Sequence, residues 1–212
     1  LFTATSAVCV TGLVPVDVST TFTTSGLVVI ILLIQIGGLG VMTLTSFFAM
    51  FFMGNTSIYN QLVVRDMVSS NSLGSLLSTL LYILGFTLVI EGIGMVSIWF
   101  SIHGTLGMTL EGELGFAAFH SISAFCNAGF DLMGRYSPFS SITRFYNDPV
   151  VILTISALIL IGGIGFFVWN DLREHGLHCR HYALQTKMVL SATAVCLFGG
   201  TLLFYLFEHN RL

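Results

Sequence analysis

Long apolar blocks alternate with short polar stretches along this chain, and the blocks are longer than the buried stripe of a water-soluble helix requires. Four of them reach the roughly 20 residues needed to cross a hydrocarbon core as a helix: 24–52, 73–102, 149–170 and 183–207. The third has the sharpest start, because Asn147-Asp148-Pro149 offers an N-cap followed by proline in the first turn, where its missing N–H costs nothing. A further stretch, 113–125, is apolar and helix-compatible but shorter. At about 1.5 Å per residue it reaches only part of the way through a bilayer, which predicts a re-entrant half-helix.

A pattern of a second kind lies over these blocks. Ser6-Ala7-Val8-Cys9-Val10-Thr11-Gly12-Leu13 returns as Ser123-Ala124-Phe125-Cys126-Asn127-Ala128-Gly129-Phe130. Each copy precedes a long apolar block that carries a shared signature, Ile36-Gly37-Gly38-Leu39-Gly40 and Ile161-Gly162-Gly163-Ile164-Gly165. Two matched signatures in the same order imply an internal repeat. Residues 2–8 then read as the end of a half-helix equivalent to 113–125.

Composition agrees with an all-α integral membrane protein: hydrophobic residues make up 55% of the chain and charged residues 8%, against roughly 25% charged in a soluble domain. The formal net charge of −3, with no cluster of Lys and Arg, excludes a nucleic-acid partner. Membrane lipid is the expected surrounding. Cys9, Cys126, Cys179 and Cys196 form neither a C-x-x-C pair nor a disulfide framework, and the repeated pair Cys9 and Cys126 predicts a small buried residue behind a tight turn. His175, His178, Cys179 and His181 are a conceivable soft-metal cluster, but a connector rich in His and Arg at a membrane surface needs no metal to explain it.

The repeat carries the chemistry. Irregular backbone at membrane depth is tolerated only where protein surrounds it or water fills a cavity, so 9–13 and 126–130 should line one. A half-helix directs the negative end of its dipole and its terminal carbonyls toward the space beyond its C-terminus, which favours a cation there. Glycine at 12 and 129 lets backbone oxygens turn into a narrow lumen, and rings of such oxygens replace the hydration shell of potassium. The candidate filter backbone is therefore Val10, Thr11, Gly12 and Leu13 with Asn127, Ala128, Gly129 and Phe130. Ordinary turns are the alternative for a single copy, and the duplication weighs against it. For the Ile-Gly-Gly-x-Gly signatures, packing against the pore loops is the favoured reading.

If the loops enter from outside, Asp17, Glu111, Glu113, Asp131 and Asp148 lie near the outer mouth, where a negative field concentrates cations; a solvated loop surface is the other reading. Arg65, Arg173, Arg180 and Lys187 then face the cytosol and Arg135, Arg144 and Arg211 the outside, an imbalance too small to set topology. Glu91 sits inside an apolar block as an intramembrane acid, where it either pairs with a buried group or is protonated. The rival class is an intramembrane enzyme or a scaffold. No G-x-S-x-G or H-E-x-x-H motif supports an enzyme, and His120 beside Ser121 reads as part of the pore helix.

Taken together, the Ser6–Leu13 and Phe125–Phe130 motifs and Ile34-Gln35-Ile36-Gly37-Gly38-Leu39-Gly40 resemble the membrane subunit of the Ktr/Trk/HKT superfamily of potassium transporters, most closely its Ktr branch. The resemblance implies repeated helix, re-entrant pore loop and helix units around a potassium-channel-like pore. On that scheme the chain supplies the end of a first unit (1–53), a connector (54–72), a whole second unit (73–170, with half-helix 113–125, filter 126–130 and helix 149–170), a connector (171–182) and the first helix of a third (183–212). It also implies that Gly12 and Gly129 are filter glycines, and that K⁺ is the transported ion with no cofactor in the chain. Serine at the first filter marks sodium-permeable plant members, so Gly12 implies potassium preference. A homodimer, a cytosolic nucleotide-binding regulatory subunit and a place in the bacterial plasma membrane are further expectations from the same resemblance.

Overall fold

The computed structural model describes residues 1–40, 73–137, 140–176, 178 and 180–209, with 73–80 described by their backbone. The expected connector 54–72, the later part of the first span, Arg65, Cys179 and Arg211 lie outside the described residues. Among the described residues the regular structure is helical throughout. The chain divides into a unit of residues 1–160 and a smaller one of 161–212.

In the larger unit, α1 (Phe2–Val8) is the short helix before the first loop, and α2 (Val18–Thr21) is one turn capped by the Asp17 carboxylate. α3 (Thr24–Gly38) starts at Thr23, whose hydroxyl accepts from the Gly26 amide at 3.3 Å. It buries Leu27, Ile30 and Ile34 along one face and exposes Val28, Val29 and Leu32 on another. Such a helix is apolar all round, as a helix in lipid is. Next comes α4 (Leu73–Ile102), whose part Leu81–Ile102 is long and apolar enough to cross a membrane.

α5 (Leu110–Phe125) is the second half-helix. It begins three residues before the position expected from sequence, because the Thr109 hydroxyl caps the Gly112 amide at 3.3 Å. Its 16 residues span about 24 Å, still short of a hydrocarbon core of roughly 30 Å. α4 packs closely along α5, and α3 packs on both α1 and α5. Two 3-10 turns, Met133–Arg135 and Ser141–Phe145, lead to α6 (Pro149–Ile164). As its sequence predicts, α6 starts at Asp148, whose Oδ1 accepts from the Val150 and Val151 amides at 3.0 and 3.2 Å.

The smaller unit departs from the expected span 149–170. The helix stops at Ile164, and α7 (Phe166–His175) begins after Gly165, whose φ of +88° is not a helical value. The break is locked by the Trp169 indole, which donates to the Ile161 carbonyl at 2.9 Å. Asp171 joins α7 to the next helix, accepting from the Ala183 amide and the His175 imidazole, each at 2.9 Å. α8 (Leu184–Glu208) is a second membrane-length helix, exposed along most of its surface, with Thr186 buried. Counting α6 and α7 as one broken span gives a third.

The approach of α4 to α5 depends on a residue without a side chain. A methyl added at Gly94 would lie 2.5 Å from Ser121 Oγ and 2.7 Å from Leu158 Cδ1, whereas one at Gly92 meets open space. Ser121 Oγ uses the room to donate to the Glu91 carbonyl at 2.7 Å. Gly94→Ala is therefore expected to destabilise the full-length protein by about 1–3 kcal/mol through overpacking. Gly92→Ala should be neutral or stabilise by up to about 1 kcal/mol through helix propensity. Thermal unfolding of the purified protein checks this, and equal effects of the two changes would refute the close contact.

Candidate functional site

The two repeated loops leave their helices by the same route. After α1 the chain passes through Cys9 in the helical region to Val10 at φ +53°; after α5 it passes through Cys126 to Asn127 at φ +56°. The Val10 amide bonds the Ala7 carbonyl at 3.2 Å and the Thr11 amide bonds Ser6 at 3.0 Å. In the second copy Asn127 bonds Ala124 at 3.0 Å and Ala128 bonds Ser123 at 2.8 Å. These paired bonds are Schellman motifs, which use carbonyls that a helix end otherwise leaves without a partner. The third and second carbonyls from each end are thus engaged by backbone, which modifies the expectation that terminal carbonyls face the ion.

Both loops then reach a glycine with φ +72°, and the two glycines meet. A Cβ added at Gly12 would stand 2.5 Å from the Ala128 carbonyl oxygen and 3.4 Å from Gly129 Cα; one at Gly129 would stand 3.7 Å from Gly12 Cα. The structure thus brings Gly12 of the first candidate loop against Ala128 and Gly129 of the second, backbone against backbone. One member of the candidate set has a further partner: the Phe130 carbonyl accepts from Ser123 Oγ at 2.7 Å. In the first copy the equivalent Ser6 Oγ bonds Thr11 Oγ1 instead, at 2.8 Å.

The Ile-Gly-Gly signature of α3 presses on both loops. A methyl at Gly37 would overlap the Val8 carbonyl, and one at Gly38 would overlap the Cys126 side chain. That contact buries Cys126, while Cys9 is exposed, so the expectation of a buried cysteine behind both turns holds only for the second.

The expected outer acids separate into different roles. Asp17 and Asp131 line one small cavity with Val14, Val18, Gly129 and Phe130, directly beside the glycine contact. Asp17 also caps α2, accepting from the Ser19 amide at 3.0 Å, and fits the notch at Gly134. Asp131 Oδ1 accepts from the Met133 amide at 2.9 Å. Glu111 is exposed on the first turn of α5. Glu113 is buried and committed elsewhere, with Oε1 accepting from the Gly104 amide at 2.9 Å and Oε2 2.7 Å from His103 Nδ1. Those contacts, the Gly104 amide first, hold its carboxyl below the usual carboxylate range. Asp148 is likewise drawn down, chiefly by the Ser101 hydroxyl and by its capping amides.

Glu91 is buried and has a partner, Gln35 on α3, whose Nε2 donates to its Oε2 at 3.1 Å. Gln35 is the polar residue in an apolar helix facing the polar residue in another, a signal that a search for matched polar interruptions would have found. The ties made by His120, Ser123 and Glu113 were not legible, because each needs the loop to fold back on its own helix. Among the described residues no group of three His, Cys, Asp or Glu is placed to hold a metal. His175 Nδ1 lies instead 2.9 Å from Asp171 Oδ1.

Membrane-length helices and two equivalent re-entrant loops that meet at glycine define a multi-pass membrane protein organised around a shared backbone site. Residues 1–194 match the TrkH family, described as cation transport protein, and the chain belongs to that family. It is 36% identical over 218 residues to the potassium/sodium uptake protein NtpJ of Enterococcus hirae, aligning over 100% of the chain and 45% of that protein. It is 40% identical over 214 residues to the Ktr system potassium uptake protein B of Vibrio alginolyticus, with 100% and 45% covered. The protein of that name in Bacillus subtilis is 32% identical over 217 residues, with 100% and 46% covered. The chain thus spans a little under half the length of these relatives. A cation-transport family also answers the enzyme alternative: the chain is not an enzyme.

Val10 is β-branched in a left-handed conformation where its counterpart is Asn127, a residue that tolerates it. Val10→Asn is expected to raise stability by about 1 kcal/mol in thermal unfolding of the full-length protein, and a loss would show that Val10 packing outweighs the strain. Glu113 has a folded-state pKa below its unfolded one, so its contribution is present above the ordinary carboxylate range and lost as pH falls through the depressed value. Glu113→Gln should therefore flatten the acid side of the stability–pH profile, and an unchanged profile would remove the carboxylate from that role.

Proposed function

We propose that the full-length protein takes up potassium across the bacterial cell membrane, and that the loops Val10–Leu13 and Asn127–Phe130 contribute backbone carbonyls to its selectivity filter. The observation that carries the reading is the contact of Gly12 with Ala128 and Gly129 at matched φ of +72°. Two equivalent loops packed side by side through main chain, with no side chain between them, fit neighbouring walls of a carbonyl-lined ion path that further loops would close. The names of the relatives support potassium as the ion, and Asp17 and Asp131 beside Gly129 supply a negative field at the entrance. Further pore units, a homodimer and a cytosolic nucleotide-binding subunit complete the assembly in this reading. The chain's domains are then the end of one pore unit, a complete second unit and the first helix of a third.

The test replaces each glycine by serine in the full-length transporter and measures rubidium uptake and sodium competition in cells lacking other potassium systems. At Gly129 the cost is mainly the left-handed backbone, since the nearest atom to an added Cβ is 3.7 Å away; at Gly12 a clash with the Ala128 carbonyl at 2.5 Å adds to it. Gly129→Ser should weaken apparent potassium affinity about tenfold, and Gly12→Ser more, with sodium competing in both. If both variants keep wild-type affinity and sodium exclusion at normal membrane levels, the filter reading is wrong.

A further inference from the structure

Where the second loop leaves the glycine contact, two side chains of its own half-helix reach across to hold it. Ser123 Oγ donates to the Phe130 carbonyl at 2.7 Å, and the Leu132 amide donates to His120 Nε2 at 3.3 Å. His120 lies 2.8 Å through Nδ1 from the Phe116 carbonyl and is packed against the Phe116 ring, with centroids 4.0 Å apart, and the Phe119 ring at 5.9 Å. It is 5% exposed, Ser123 3%. A carbonyl can only accept and an amide can only donate, so the ring carries its proton on Nδ1 and presents a bare Nε2. The two ties fall on alternate residues, 130 and 132, and bracket Asp131, which lines the cavity beside Gly129.

The first repeat is not held in this way. Thr3 stands where His120 does in the register that pairs Ser6 with Ser123, and Ser6 is bonded to Thr11 before the glycine rather than to the chain after it. We propose that His120 and Ser123 are positioning residues of the second loop: they fix the Phe130 carbonyl and Leu132 amide from behind, so that the Gly129 backbone keeps the orientation that discriminates between cations. This deepens the filter reading and rests on it. His120 touches no ion; it acts through the Leu132 amide, and Ser123 acts through the Phe130 carbonyl.

The full-length transporter is tested as wild type and as His120→Leu, His120→Gln and Ser123→Ala, with rubidium uptake and sodium inhibition measured at matched membrane levels. His120→Leu and Ser123→Ala should each raise the apparent KM for rubidium by about tenfold and admit sodium competition, in line with the loss of one buried hydrogen bond. Maximal rate should change less than KM. Glutamine can donate to Phe116 and accept from Leu132, so His120→Gln should stay within about threefold of wild type. Should His120→Leu fail to reach the membrane, Ser123→Ala and His120→Gln decide the matter. Wild-type KM and sodium exclusion in Ser123→Ala and His120→Leu, or a His120→Gln no better than His120→Leu, would overturn the proposal. Ring-nitrogen NMR of labelled His120 in the purified protein gives a readout independent of transport: a neutral ring protonated on Nδ1 is expected, and a proton on Nε2 refutes the tie. Wild-type protein that takes up no rubidium would sink the conduction reading itself, a failure distinct from any pattern among the variants.

Discussion

The contact between the two glycine turns is what the rest of the larger unit is arranged to permit. Gly12 and Gly129 meet backbone to backbone, and nothing larger than hydrogen fits at Gly12 without meeting the Ala128 carbonyl. Each neighbouring contact can be read as a condition for that one. Gly37 and Gly38 let α3 sit against Val8 and Cys126; Gly94 lets α4 sit against Ser121; Gly134 receives Asp17, and Arg135 Nε donates to the Ser19 carbonyl at 3.3 Å. The last two join the chain leaving the first loop to the chain leaving the second.

Membrane surroundings make the accounting of polar groups strict, since lipid offers neither donors nor acceptors. The half-helices meet the demand by Schellman closure, the loop exit by Ser123 and His120, and the start of α5 by Thr109. Glu91 and Gln35 meet it in part: one bond pairs them across two helices, from Gln35 Nε2 to Glu91 Oε2, and the other oxygen of each is buried without a hydrogen-bond partner among the described residues. The order imposed on the loops thus comes largely from hydrogen bonds that would be worth little at a wet surface and are obligatory at depth.

The sequence was legible where its signal was periodic or repeated. The apolar blocks marked α4, α6 and α8, the Asp148-Pro149 cap marked the start of α6, and the duplicated Ser-Ala-x-Cys-x-x-Gly motif marked both loops. It was less legible where tertiary contact overrides local pattern. The break at Gly165 lies in a run apolar enough to read as one helix, and is set by a backbone angle and by the Trp169 bond to Ile161. Glu113 reads in sequence as one acid among several, and its bonds to His103 and the Gly104 amide, ten and nine residues away, depend on the turn that precedes α5. Cys9 and Cys126 share a place in the motif and differ in burial because α3 lays Gly38 against the second.

The seating of one turn in the other also limits how the two copies of the repeat can diverge. They differ at Val8 and Phe125, at Val10 and Asn127, at Thr11 and Ala128 and at Leu13 and Phe130, yet both hold glycine at the point of contact. A change at Gly12 is felt in trans, because the space it needs is held by the Ala128 carbonyl of the opposite copy. A loop taken singly arrives without the surface it packs on, so the unit that must stay matched is the joined couple of turns rather than either half-helix and its loop.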